Sequence, residues 1–286
     1  MRSKLFVPGS RPELFAKAMA SKADGISFDL EDAVAESAKS DARQHLCTFL
    51  SEVAPTDKTL VVRVNAQDSE HYLADLEALV PRRVDVINLP KVESAAQILM
   101  LVEVLERIEQ QSGRTAEVRI LANIESPKGL RLAAEIASAH PRVMGLQLGF
   151  ADLLEPLGID RRDVAAIRQI QLAVRLAAGE AGIGAYDSAY AAIKDPDGFR
   201  AEARHARILG FAGKSCIHPT QIDMANEAFV PDQAEIARSL RILEAAAEAE
   251  KAGVGAYQVD GQMIDGPFVL RAEEIVRQAR QAGLVA

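Results

Sequence analysis

Short apolar runs rich in Val, Ile and Leu alternate along this chain with longer segments whose apolar positions recur every three or four residues. The first pattern marks strands buried on both faces, and the second marks helices packed on one side. Strands are expected near 3–7, 25–30, 60–64, 84–89, 118–124, 143–149, 183–187 and 213–217. Between them, Leu73, Leu76 and Leu79 before Pro81, and Leu130, Ala133, Ala134 and Ala137 after Pro127, carry helical spacing. Pro127 suits a first helical turn, where its missing N–H is harmless. Eight strands alternating with helices predict an α/β protein, a (β/α)8 TIM barrel of about 250 residues. After the eighth strand come an Ala- and Glu-rich helix over about 232–252 ended by Gly253, a Gly-punctuated segment, and a final helix over 267–283. The expected organisation is a barrel domain over 1–230 and a C-terminal helical extension over 231–286, with no linker-like composition between them.

Charge interrupts this pattern in one recurring place, the ends of the strands. Asp29 and Glu31 close GISFDLE, Arg63 closes LVVRVN, Lys91 closes VINLPK, Glu125 closes ILANIE, and Asp152 follows GLQLGF. Burying an unpaired charge costs several kcal/mol, so such ends are expected to gather at one site. In a parallel barrel that site is the face where the strands finish. Residues two apart on a strand share a face. Asp29 with Glu31, Arg63 with Asn65, and Asn123 with Glu125 are therefore expected to point into the barrel mouth. Asp187 and His218, closing the seventh and eighth runs, are weaker candidates for the same mouth. His218 precedes Pro219 and could instead cap a helix.

Composition narrows the chemistry. The 286 residues are 49% hydrophobic, ample for a core, and carry a formal net charge of −8. That balance offers no basic footprint for nucleic acid. Cys47 and Cys216 stand far apart without metal or redox spacing, and both read as packing residues. The apolar run at the N-terminus stops at Pro8, short of the ~7–15 residues of a signal-peptide core. No stretch approaches the ~18 apolar residues of a membrane span. The expectation is a cytoplasmic enzyme with no membrane and no nucleic-acid partner.

Glu125 and Asp152 follow neighbouring strands, and no His or Cys cluster suggests zinc. A site with one or two protein carboxylates suits Mg²⁺, which keeps waters and takes remaining ligands from substrate. The alternative is that Glu125 caps the helix opened by Pro127, where the helix dipole favours an acid. In VPGSRPELFAK, Ser10 and Glu13 have capping-box spacing, so a helix start is expected there. Helix starts bind anions, and Arg11 and Lys17 would add positive charge for a phosphate-bearing ligand. Most capped helices bind nothing, and these residues alone leave that question open.

Taken in order, LFVPGSRPELFAKA, FDLEDAVAESAKSDAR, VRVN, LPKVES, IESPKGL, LGFADL, GKSCIHPTQI and DGQMIDGP resemble the citrate lyase β-subunit and malyl-CoA lyase family of CoA-ester lyases, within the HpcH/HpaI aldolase superfamily. The resemblance runs from about residue 3 to 280, and the shared order of its blocks makes it specific. It implies a (β/α)8 barrel, a Mg²⁺ ion, and reversible cleavage of a 3-hydroxy-3-carboxyacyl-CoA, of malyl, citramalyl or citryl type, to acetyl-CoA and an oxo acid. It implies that Glu125 and Asp152 are the metal ligands, with Glu125 also meeting substrate, and that Arg63 is the catalytic arginine. Arg11 and Lys17 fall where such lyases hold CoA phosphates. Asp265 matches a catalytic aspartate that reaches a neighbouring subunit, which implies a homotrimer or a multiple such as a hexamer. The compact stretch between the sixth and seventh strands, GIDRRDVAAIRQIQLAVRLAAGEAGIGAYDS, resembles the stand-alone citrate-lyase-β-like proteins more than dedicated malyl-CoA lyases.

The implied reaction is a retro-Claisen cleavage. Arg63 would stabilise the enolate oxygen, Asp265 would exchange the proton on carbon, and Asp29 and Glu31 would hold metal-bound waters or orient Arg63. Three other readings stay open: a citrate lyase β subunit acting on an acyl-carrier-protein thioester, a metal-dependent hydroxy-oxo-acid aldolase, and a non-catalytic barrel scaffold.

Overall fold

A computed structural model describes residues 1–285, which form two compact units, Met1–Phe229 and the described residues from Val230 on. In the first, strands β1 (Ser3–Pro8), β2 (Gly25–Asp29), β3 (Thr59–Arg63), β4 (Val86–Leu89), β5 (Arg119–Ile124), β6 (Val143–Leu148), β7 (Gly184–Asp187) and β8 (Gly213–Cys216) pair in sequence order into a closed barrel. Every pairing is parallel, including β8 back onto β1. The fold is a (β/α)8 barrel, and each expected strand is present.

Alternation along the strands sorts the side chains. Leu5, Val7, Ile26, Phe28, Leu60, Val62, Ile87, Leu89 and Ile120 face outward and are buried in the large core shared with the helices. Inside the barrel, Val61, Val86, Leu121 and Tyr186 form a separate apolar cluster. Gly145 makes room for it, since a Cβ there would lie 2.7 Å from the Tyr186 ring. Two residues further along their strands stand Arg63, Asn88 and Asn123, so the interior changes from apolar plug to polar floor to charged rim.

The helices are set by local signals. Ser94 Oγ accepts from Gln97 N at 3.3 Å to start Ala95–Ser112, which buries Ile98, Leu101, Val102, Leu105 and Ile108 and stops at Gly113, φ 70°. Ser126 caps Pro127–Arg131 by accepting from Gly129 N at 3.0 Å. Among the described residues no helix is long and apolar enough to cross a membrane.

Asp187 is corrected by the same alternation. Tyr186 takes the inward position on β7, so Asp187 points outward to the helices, where Lys214 Nζ lies 2.6 Å from its Oδ2 and Gln171 Nε2 3.0 Å from its Oδ1. His218 also leaves the mouth: its Nδ1 accepts from Thr220 N at 3.3 Å at the start of helix Thr220–Ala228. Asn65 is drawn aside as well, held by Asp75 and by Lys39 Nζ at 2.6 Å. Cys216 is buried, and Cys47 is half-buried with its Sγ 3.6 Å from Ala78 O.

The second unit contains helices Gln233–Lys251 and Gly266–Gln281 around an antiparallel hairpin, β9 (Tyr257–Val259) and β10 (Gln262–Ile264). The hairpin turns at Asp260-Gly261, φ 50° and 78°, the positive values a tight two-residue turn requires. Ile242, Val259, Ile264 and Ala272 form this unit's own core. The hairpin is absent from the expected elements, although VDGQ carries its turn signal.

Candidate active site

At the C-terminal rim of the barrel lies a cavity of about 460 Å³, lined by Phe6, Asp29, Arg63, Asn123, Glu125, Gln147, Asp152, Arg161 and Ser215 among others. Register builds it. Pro8 pairs with Asp29, Asp29 with Arg63, Arg63 with Asn88, and Asn123 with Gln147, so the ends of six strands bring these side chains together.

Arg63 is the most constrained of them. Its Nε and Nη2 donate to the two Asp29 carboxylate oxygens at 2.8 and 2.6 Å, its Nη1 lies 2.8 Å from Glu31 Oε2, and its guanidinium rests 5.2 Å above the Phe6 ring. Burial opposes its charge, but Asp29, Glu31 and Asp32 outweigh burial and raise its pKa. Asp29 is itself held by the backbone, accepting from Glu31 N at 3.0 Å. Lys39, buried beneath, donates to Leu30 O and Glu31 O at 3.0 Å and so fixes the loop that carries both acids.

Glu125 directly follows β5, and here the cap reading fails, since Ser126 supplies the cap. Glu125 instead accepts from Lys91 N at 2.6 Å and from Asn123 Nδ2 at 3.4 Å. Lys91 takes φ 53°, rare for a residue with a Cβ, and its Nζ lies 2.8 Å from Glu31 Oε1. Burial pushes the Glu125 pKa up to about 7, the Lys91 N–H opposes this, and Glu31 and Asp152 add to the rise. Glu31 is likewise raised, by burial first. Gly149 permits the approach, because a Cβ there would lie 2.4 Å from Glu125 Oε2. Asp152 is exposed, in the first turn of helix Phe150–Leu154, whose Phe150 N donates to Ser188 Oγ at 3.0 Å. A carboxylate whose burial lifts its pKa into the neutral range, with Glu31 and Asp152 adding to the rise, fits a hard divalent cation with few protein ligands.

Arg11 and Lys17 lie on the segment after β1, both exposed. The capping box expected there is absent: Arg11 engages the Glu13 carboxylate, and no side chain caps the short 3₁₀ helix Pro12–Leu14. Asp265 belongs to the second unit, where it precedes helix Gly266–Gln281 without capping it, and its Oδ1 is buried with no hydrogen-bond partner.

Four site residues escaped the sequence reading. Gln147 is the single polar residue of β6, Lys4 and Ser215 each adjoin another polar residue, Ser3 and Lys214, on short strands, and the alternation Lys4, Phe6, Pro8 is the signal that would have placed Lys4 inside. Arg161 lies over the rings of Phe150 and Tyr190 at 5.1 and 5.6 Å and donates to Glu202 Oε1 at 2.6 Å.

A closed parallel barrel with acids and an arginine at its C-terminal rim is an enzyme scaffold. The chain belongs to the HpcH/HpaI aldolase/citrate lyase family, whose model matches residues 2–219. It is 39% identical over 281 residues to the citrate lyase subunit beta of Haemophilus influenzae, covering 98% of this chain and 97% of that one. It is 38% identical over 279 residues to a (3S)-malyl-CoA thioesterase of Cereibacter sphaeroides, covering 97% and 94%. Among solved structures it resembles the protein CitE of Mycobacterium tuberculosis in complex with magnesium, acetoacetate and coenzyme A, with TM-score 0.77, 36% identity, and 98% and 100% of the two chains covered.

Proposed function

We propose that this protein is a Mg²⁺-dependent CoA-ester lyase that reversibly cleaves a 3-hydroxy-3-carboxyacyl-CoA of malyl, citramalyl or citryl type into acetyl-CoA and an oxo acid. One observation carries the reading: a buried carboxylate with its pKa lifted to about 7 shares a cavity with an arginine locked by two acids. Glu125 and Asp152 would hold the ion, which supplies Lewis-acid polarisation of the substrate's carboxylate and hydroxyl oxygens. As the hydroxyl proton leaves to water, the C–C bond breaks and its electron pair passes into the thioester enolate. Arg63, already fixed by Asp29 and Glu31, meets the developing oxyanion without reorganising, and removal of such a donor costs ~10²–10³ in rate. Asp265 returns a proton to the enolate carbon, or removes it in the condensation direction.

In this reading Asp265 serves a neighbouring barrel, so the protein works as a homotrimer or hexamer, and the extension over 231–286 contributes to both assembly and site. Mixed Asp265→Ala and Glu125→Ala subunits, co-assembled, then recover activity that neither has alone. Arg11 and Lys17 receive the CoA phosphates, so Arg11→Ala raises KM more than it lowers kcat.

The test is a panel of malyl-, citramalyl- and citryl-CoA assayed with Mg²⁺. Release of acetyl-CoA from at least one, lost on chelation and in Glu125→Ala, is expected. Cleavage of none of them, or wild-type rates after chelation, refutes the reading. Likeness to the Haemophilus subunit supports a second reading, action on an acyl-carrier-protein thioester within a citrate lyase complex. Turnover of free CoA esters by the isolated protein counts against it.

A further inference from the structure

The floor of the cavity holds a buried lysine that the proposed mechanism does not use. Lys4 points into the barrel from β1 and is 2% exposed, and none of the ion pairs among the described residues includes it. Its Nζ donates to Gln147 Oε1, lies 3.3 Å from the Asn88 amide oxygen, and sits 4.5 Å above the Phe6 ring. Burial lowers the Lys4 pKa well below the ordinary lysine value, Arg63 adds to the fall, and Asp29 and Glu125 oppose it; charged or neutral, the amino group has a donor for each of the two amide oxygens. Both amides that meet it, Gln147 and Asn88, satisfy their neighbours with oxygen toward Lys4 and nitrogen turned away.

That polarity propagates. Asn88, with its oxygen toward Lys4, gives its nitrogen to Asn123 Oδ1 at 2.6 Å and to Leu121 O at 3.2 Å. Asn123 must then donate, and its Nδ2 faces Glu125 Oε2 at 3.4 Å. On the other side, Gln147 Oε1 is taken by Lys4 and by Ser215 Oγ at 3.5 Å. Gln147 Nε2 has no hydrogen-bond partner among the described residues, yet Gln147 lines the cavity.

We propose that Gln147, oriented by Lys4, is a specificity-determining residue whose Nε2 donates to a hydrogen-bond acceptor on the side group of the substrate's oxo-acid half. The inference rests on the lyase reading and deepens it by naming the substrate class: oxo acids whose side group carries a carboxylate oxygen, over those ending in hydrogen or an alkyl group. Geometry supports this. Gln147 pairs in register with Asn123, two residues before Glu125 on the same inward face, so the donor lies roughly 7 Å below the level of the Glu125 carboxylate. A carboxymethyl group and one hydrogen bond span that depth, and a methyl group does not. An alkyl side group would leave the donor unpaired, and sites built around a donor discriminate strongly on that basis. Gln147 is the contact, and Lys4 is the positioning residue behind it.

The test is calorimetric titration of the full-length protein, saturated with Mg²⁺, with oxaloacetate and with 2-oxobutyrate, an alkyl analogue. Oxaloacetate is expected to bind at least ~10-fold tighter to wild type. Gln147→Leu and Lys4→Met are each expected to bring that ratio within about threefold, whereas Lys4→Arg, which keeps donors for the amide oxygen, retains it. Equal binding by wild type overturns the proposal, as does a ratio that survives Gln147→Leu. A ratio unchanged in folded Lys4→Met removes the role of Lys4, and if that variant does not fold, Gln147→Leu and Lys4→Arg decide the matter. The lyase reading fails separately: selective oxaloacetate binding without cleavage of any thioester keeps this inference and loses that one, while cleavage of all three thioesters with no oxo-acid preference does the reverse.

Discussion

Replacing Gly149 by Ala tests the proposed metal site without substituting either proposed ligand. A Cβ at 149 would lie 2.4 Å from Glu125 Oε2 and 2.6 Å from Glu125 Cβ, where ordinary contact begins near 3.4 Å. The Glu125 side chain therefore has to retreat by about 1 Å, or the loop after β6 has to move by as much and carry Asp152 with it. A misplacement of ~1 Å in a catalytic constellation costs on the order of 10²-fold in rate. Overpacking costs about 1–3 kcal/mol in stability, which a barrel of this size tolerates. Mg²⁺ affinity is read by calorimetry and kcat/KM with the preferred thioester, with thermal melting as the control for folding. Expected are a folded protein, a loss of Mg²⁺ affinity of at least tenfold, and kcat/KM down by about 10². A Gly149→Ala variant with wild-type affinity and rate would show that Glu125 does not hold the ion, since nothing else separates the two residues.

Three further outcomes follow from the electrostatics. Glu125 has a folded-state pKa of about 7 against an ordinary value of 4.5, so its contribution to metal-free stability is present below pH 4.5 and lost as pH rises through about 7. The separation is worth about 3 kcal/mol, so metal-free Glu125→Gln is expected to match wild type near pH 4.5 and exceed it by that amount at pH 8 in denaturant titrations; a constant difference across that range sinks the assignment. Lys214→Met leaves the buried Asp187 carboxylate without its cation, and breaking such a buried pair costs about 3–5 kcal/mol; an unchanged melting temperature would contradict the outward placement of Asp187. Arg63→Lys keeps the charge but loses the forked contact with Asp29, and a fall in kcat of ~10²–10³ with little change in KM is expected; an unaffected kcat would remove Arg63 from the reaction.

The rim was legible in the sequence because strand period and charge position are both local signals. Asp29, Arg63, Glu125 and Asp152 could be read at the ends of apolar runs without knowing what lay opposite. The errors came where the inward face had to be chosen. Asp187 closes its strand as Arg63 closes its own, yet Tyr186 has already taken the inward position, and Lys214 meets Asp187 outside the barrel. The capping box failed for a related reason, since Arg11 took the Glu13 carboxylate the box required. The polar floor lay furthest from view. Lys4 is in register with Ser215, 211 residues later, only because β8 closes onto β1, and it meets Gln147 from across the barrel, 143 residues away. Within its own strand Lys4 reads as a surface lysine. Closure makes it a buried donor, and its contacts with the oxygens of Gln147 and Asn88 then set the direction of the amides between it and Glu125. Strand ends announce where chemistry happens, while the residues that orient it acquire their meaning only when the last strand meets the first.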